Sequence, residues 1–273
     1  MKIENIKELE QKALEIRKSI IEQVYSAQSG HPGGSLSIAD IMAVLYFNEL
    51  NIDENNSKWE DRDRMVLSKG HCSPALYATL AERGYFDKQE LKKFRNIDSN
   101  LQGHPDMNKV PGVDMTTGSL GQGLSSANGM AISAKLDNKD YRVYCIVGDG
   151  EIEEGQIWEA AMTSNKYKLD NLCVIVDNNN LQIDGTIEEV MSSYPIDKKF
   201  ESFGFNVINI DGHNIQEILE AFRKAKETKG RPTCIVAKTI KGKGISLMEN
   251  QVGWHGKAPN DEQYEQIIKE FEK

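Results

Sequence analysis

The sequence predicts an α/β protein built on a mostly parallel open sheet with helices on both faces. Three observations carry that prediction. Segments 141–147, 172–176 and 233–237 (YRVYCIV, LCVIV and TCIVA) are nearly continuous apolar runs rich in β-branched residues. Runs of this kind mark strands covered on both sides rather than on one. They alternate with helix-period stretches such as 157–166, the rhythm of βαβ units.

The elements follow in order. Residues 4–28 place Ile6, Leu9, Ala13, Ile16, Ile20 and Val24 three or four apart, which predicts an amphipathic helix. Gly and Pro break it at SGHPGGS. Residues 39–50 predict a second, more apolar helix, 64–67 a short strand, SKGHCS a loop, and 74–82 a helix. Residues 98–123 carry five Gly and two Pro without any periodicity. So long an irregular stretch marks a functional or disordered segment. Residues 123–135 (GLSSANGMAISAK) are small, which suits a helix packed tightly on a sheet. Residues 206–210 predict a further strand, and 261–273 a charged, exposed helix.

Composition excludes several functions. Lys and Arg total 33 and Asp and Glu 42, a net charge of −9 over 273 residues. An acidic chain is a poor general binder of nucleic acid or anionic membranes. No apolar run approaches the ~18 residues of a transmembrane helix. The opening MKIENIKELEQKALEIRKSI carries acids throughout, unlike a signal or transit peptide. Cys72, Cys145, Cys173 and Cys234 form no CxxC, and three sit in apolar runs. They predict buried thiols in a cytoplasmic protein.

The most specific segment begins GDGEIEEGQ at Gly148. Its spacing is GxGxxxxG, not the GxGxxG of dinucleotide folds. Asp149, Glu151, Glu153 and Glu154 would repel a pyrophosphate unless a divalent cation lay between. The three glutamates also read as ordinary helix-start acids. Asp149 and Asn179 lie thirty residues apart, at the C-terminal ends of neighbouring strands in a βαβ unit. Open sheets bind ligands there. A carboxylate, an amide oxygen and a nearby backbone carbonyl make a hard oxygen set suited to Mg²⁺ or Ca²⁺. Of five histidines, His31, His71, His104 and His213 follow a Gly and His255 precedes one, all in loops. None has HxxxH spacing, which argues against zinc. His213 is read as a solvated loop residue.

SGHPGGSLS, DRMVLSKGH, LQGHP, TTGSLGQG, GDGEIEEGQIWEAA, DNNNLQIDG, DGHN and IKGKG…WHGKAP together resemble the transketolase family over nearly all of the chain. The resemblance implies a thiamine diphosphate-binding fold of the diphosphate (PP) type: one domain over 1–273 with an N-terminal helical segment. It implies that Asp149, Asn179 and the Leu181 carbonyl hold Mg²⁺, with Ca²⁺ or Mn²⁺ as alternatives. Gly150 would offer its N–H to the diphosphate, and Ile183 would lie against the thiazolium. Gly118 and Leu120 would meet the aminopyrimidine through their main chain. Ser119, between them, replaces a Pro common in the family. His31 and His104 would face the sugar, and His71 and His255 both cofactor and substrate, with Lys69 and Lys241 nearby. Imidazoles suit proton transfer near neutral pH. Glu154 and Glu159 resemble interface acids that link paired cofactor sites; a first-turn Glu and a helical surface Glu are the plainer alternatives.

The implied reaction moves a two-carbon ketol unit from a ketose phosphate to an aldose phosphate. The family's activating Glu and the arginines for the sugar phosphate belong to a second, pyrimidine-binding domain. The last segment, NDEQYEQIIKEFEK, leads to no further strand. The expectation is therefore the N-terminal subunit of a split transketolase, active with a C-terminal subunit in an α2β2 assembly. Two alternatives stay open: half of a deoxyxylulose-phosphate synthase or 2-oxo acid dehydrogenase, and a non-catalytic thiamine diphosphate-binding partner.

Overall fold

A computed structural model describes residues 2–272. Five parallel strands form one sheet: β1 (Arg64–Leu67), β2 (Val143–Gly148), β3 (Leu172–Asn178), β4 (Asn206–Asp211) and β5 (Thr233–Lys238). Their order is β1-β2-β3-β5-β4. Ile146, Ile175 and Ile235 lie abreast in register across the three central strands. The predicted α/β class and its parallel sheet are borne out.

The strands read as continuous apolar runs because both faces are covered. Tyr144, Ile146, Cys173, Ile175, Ile235 and Ala237 join one buried cluster. Val143, Cys145, Val147, Val174, Val176, Cys234 and Val236 join the other. The first face carries α1 (Ile6–Ala27), α3 (Ala39–Val44), α4 (Ser73–Arg83) and α9 (Ile215–Glu227). The second carries α5 (Gly123–Leu136), α6 (Gly155–Lys166) and α8 (Ile196–Ser202). All four cysteines are buried and unpaired. β4 alternates, with Asn209 and Asp211 exposed, as an edge strand does.

Local chemistry sets the element ends. Asn5 caps α1 by accepting from the Lys7 and Glu8 N–H groups. Gln28 closes that helix in the left-handed conformation, φ 47°. Pro32 then opens α2 (Pro32–Leu36), a short helix inside the predicted loop. The helix predicted over 39–50 changes pitch: after α3 comes a π turn, Leu45–Glu49. The turn brings Glu49 onto the Tyr144 hydroxyl and the Lys226 ammonium, at 2.6 and 2.8 Å. The short α7 (Ile187–Val190), α8 and α9 are additions to the elements expected from the pattern. α9 buries Ile215, Ile218, Ala221, Phe222 and Ala225 along one face.

Residues 98–123 are irregular but pinned. Tyr77 donates to the Gln102 carbonyl at 2.9 Å and Ser73 to the Gly103 carbonyl at 2.8 Å. Thr117 donates to the Leu67 carbonyl at 2.7 Å, and Asp114 accepts from the Met65 N–H at 2.8 Å. The terminal helix α10 (Asp261–Phe271) departs from its predicted exposure. Ile267 is buried, and Tyr264 stacks on Tyr25 of α1 with ring centroids 3.8 Å apart. Lys273 lies outside the described residues.

Phe222 is buried edge-on against Tyr144, between α9 and the sheet. Phe222→Ala is expected to lower unfolding stability by about 3–5 kcal/mol, through lost burial plus a cavity. Urea denaturation should show a lower midpoint with an unchanged slope.

Candidate functional site

The sheet brings Asp149 and Asn179 together. Gly148 and Asp177 are register partners at the C-terminal ends of β2 and β3, and the two candidate ligands directly follow. Asp149 Oδ1 accepts from the Gly150 N–H at 3.0 Å, and its Oδ2 from the Asn180 N–H at 2.5 Å. Asn179 donates through Nδ2 to Asp177 Oδ2 at 2.9 Å. That bond fixes the amide, so Oδ1 faces away and accepts from the Leu181 N–H at 3.1 Å. The Leu181 carbonyl accepts from Lys241 Nζ at 3.0 Å.

Burial, and then the Asp177 charge, push the Asp149 carboxyl up to about 7. The donor set of one carboxylate, one amide oxygen and one carbonyl fits a hard divalent cation completed by water or phosphate. Among the described residues, no group of three or more His, Cys, Asp or Glu could hold a metal ion.

Two buried lysines flank this set. Lys69 Nζ donates to the Gly34 carbonyl at 2.8 Å and to Asp177 Oδ2 at 2.6 Å. Burial alone would push Lys69 down, but Asp177 reverses this and holds it above its ordinary value. Burial lowers Lys241 to about 8. Its ammonium also lies 2.8 Å from His255 Nδ1. A lysine is only a donor, so Nδ1 accepts and the His255 proton sits on Nε2.

His31, His71 and His255 form a triangle, with ring centroids 5.2, 5.5 and 5.3 Å apart. Burial first, then neighbouring positive groups, lower His31 and His71 to about 4 and His255 to about 3. All three are neutral at pH 7. Gly70, next to His71, packs directly on the loop at Thr117: a Cβ there would stand 2.7 Å from the Thr117 hydroxyl. A cavity of about 360 Å³ joins these histidines to Lys69, Gly118, Leu120, Asp149, Gly150, Asn179, Leu181, Ile183 and Lys241. Leu120, 38% exposed, and Ile183, 64% exposed, set apolar surface at its mouth.

Four candidates stand outside the cavity wall. His104 is exposed and lies with its ring against Gly118. Ser119 and Glu154 are exposed, as is Glu159 on α6. The solvated reading of His213 is corrected. Its Nδ1 lies 2.7 Å from Asp40 Oδ2, and its Nε2 accepts from the Ile240 N–H at 2.8 Å. Asp40 also pairs with Arg17, so His213 is a packed link between α3 and the loop after β5.

Sequence reasoning missed Asp177. It is fully buried and accepts from Ser37, Lys69, Asn179 and Thr239. An acid ending the apolar run LCVIVD was the available signal. Gln182 and Asp184, which also line the cavity, offered none.

This architecture defines an α/β protein with a cavity at the carboxyl ends of its parallel strands, bordered by two lysines and three histidines. The chain belongs to the transketolase, thiamine diphosphate binding domain family, which matches residues 9–272. A 6-deoxy-6-sulfo-D-fructose transketolase subunit from a Clostridium species is 45% identical over 97% of this chain and 97% of its own length. An apulose-4-phosphate transketolase subunit from Phocaeicola vulgatus is 43% identical over 97% of this chain and 94% of its own. The crystal structure of Campylobacter jejuni transketolase superposes with a TM-score of 0.92 at 35% identity, covering 98% of this chain and 43% of that one. The chain thus spans about two-fifths of the length of the single-chain transketolases it matches.

The lowered histidines give stability a pH dependence. Their folded-state values, about 3 to 4, lie below the unfolded value of about 6.5. As pH falls through that window the unfolded chain takes up protons that the folded chain refuses, so unfolding becomes easier. Thermal unfolding of the chain should therefore show a Tm falling below about pH 6.5. The fall should be shallower in a His71→Asn/His255→Asn double variant. This comparison separates the imidazoles from Asp149, whose raised carboxyl acts with the opposite sign. Identical slopes would remove the histidines as the source.

Proposed function

We propose that the chain is the diphosphate-binding subunit of a two-subunit transketolase. It moves a two-carbon ketol unit between a ketose phosphate and an aldose phosphate. The strongest support is the meeting of Asp149 and Asn179 at adjacent strand ends beneath three neutral histidines. The two subunit-named relatives, matched over nearly their whole lengths, support a separate partner chain.

Asp149, Asn179 and the Leu181 carbonyl hold a divalent cation, Mg²⁺ in the first instance. The Gly150 N–H and the Lys69 and Lys241 ammonium groups surround the diphosphate. Bound in this way, thiamine diphosphate supplies a carbanion and an electron sink. His255 donates from Nε2–H, and neutral His31 and His71 accept or return protons at the sugar oxygens. His104 completes the ring of imidazoles from the rim. Leu120 and Ile183 form one side of a water-excluding wall, which the partner's pyrimidine-binding domain closes. Pairs of such units assemble symmetrically as α2β2, with Glu154, Glu159 and the exposed Met162 of α6 at the contact.

Two measurements test the reading. The purified chain, given Mg²⁺, thiamine diphosphate, a ketose phosphate and an aldose phosphate, is expected to show negligible ketol transfer alone. Once the C-terminal subunit is added, activity should appear and saturate near equal amounts. Robust turnover by the isolated chain would overturn the split, and turnover with pyruvate as donor would point to the synthase or dehydrogenase class. Asp149→Ala is expected to abolish the thermal stabilisation that Mg²⁺ and thiamine diphosphate give together, since a ligand stabilises only the state that binds it.

A further inference from the structure

Glu151 is an acid that the chemistry proposed above does not use. It opens the turn Glu151–Glu153 directly after the GDG segment and is 3% exposed. It makes no ion pair with a lysine, arginine or histidine among the described residues, so hydrogen bonds must hold its charge. Oε1 accepts from the Ser68 hydroxyl and from the Gly121 N–H, the latter at 3.0 Å. Oε2 accepts from the Gly148 N–H at 3.0 Å. An ionised carboxylate is acceptor-only, which suits three converging donors.

The three donors belong to three separate segments. Ser68 follows β1 and precedes Lys69 and His71. Gly121 follows Gly118 and Leu120. Gly148 ends β2 and precedes Asp149 and Gly150. Each segment contributes to the cavity wall. Gly121 has φ +84°, and a Cβ there would stand 2.8 Å from the Glu154 side chain. This loop therefore approaches Glu151 through bare backbone, with no side chain available as a substitute fastening.

We propose that Glu151 is a positioning residue, whose carboxylate fastens these three loops and so sets the spacing of the diphosphate-binding wall. The role rests on reading the cavity as the thiamine diphosphate site. Glu151→Gln keeps the shape but has one acceptor atom in place of two. The Ser68 hydroxyl can turn to accept from the new amide. The Gly121 and Gly148 N–H groups cannot, so one of them always faces the NH₂ group. An unpaired buried donor is costly and loosens its loop.

The test uses the full chain and two readouts. In the ligand-free state, hydrogen exchange followed by mass spectrometry should quicken over 118–123 and 148–150 in Glu151→Gln, with 68–72, β3 and β5 unchanged. Calorimetric titration with thiamine diphosphate and Mg²⁺ should show affinity weakened about tenfold or more. Ser68→Ala, which leaves both backbone bonds in place, should weaken it less than about threefold. Glu151→Asp keeps the charge but shortens the reach; it should reproduce the Gln pattern, and it carries the test if the Gln variant does not fold. Unchanged affinity, or exchange quickened equally across the whole sheet, would overturn the proposal. Wild-type chain that binds no thiamine diphosphate even with its C-terminal subunit present would refute the reading of the cavity, while the local exchange pattern would still decide the fastening.

Discussion

Lys69 and Asp177 form an ion pair with almost no access to water, and the geometry of the site follows from it. Lys69 lies just beyond β1 and Asp177 within β3, so the pair reaches across the end of β2. Burying two charges costs more than their attraction returns unless the remaining lone pairs and protons are also satisfied. Here they are: Ser37, Asn179 and Thr239 serve Asp177, and the Gly34 carbonyl serves Lys69. Removing one member of such a pair typically costs about 3–5 kcal/mol. The same network turns the Asn179 amide, so one stabilising contact also orients a candidate ligand.

Net charge misleads about this cavity. The chain is acidic overall, yet two ammonium groups border the space between the histidines. Of the acids along its wall, Glu151 is taken up by the Ser68 hydroxyl and two backbone N–H groups, and Asp177 by its lysine. That leaves Asp149 inside and Asp184 at the exposed rim. The wall thus carries the Lys69–Asp177 pair, the Lys241 ammonium beside His255 and two further histidines, with apolar Leu120 and Ile183 at the mouth.

Much of the architecture was legible because strands buried on both faces leave a composition signal that needs no tertiary information. Asp149 and Asn179 were legible because a βαβ unit fixes where strand ends fall. The failures share a cause. His213 read as solvated because Asp40, its partner, is remote in sequence and approaches only when α3 packs beside the loop after β5. Asp177, one residue beyond the strand predicted over 172–176, was passed over because nothing local reveals that four side chains converge on it. The helix over 39–50 kept an apolar pattern through its change of pitch, so periodicity could not see the π turn. Each depends on contacts between distant segments, which spacing along one chain does not encode.

The stacking of Tyr264 on Tyr25 joins the last helix to the first. The hydrogen bond beside it, from the Tyr25 hydroxyl to Asp261 at 3.1 Å, spans 236 residues. Closing a free loop of that length would cost about 5 kcal/mol, more than the single half-buried tyrosine stack recovers by itself. The contact becomes favourable only after the sheet has already brought the two ends near each other. α10 is therefore a latch on a body whose two ends the packing around the sheet has already drawn together.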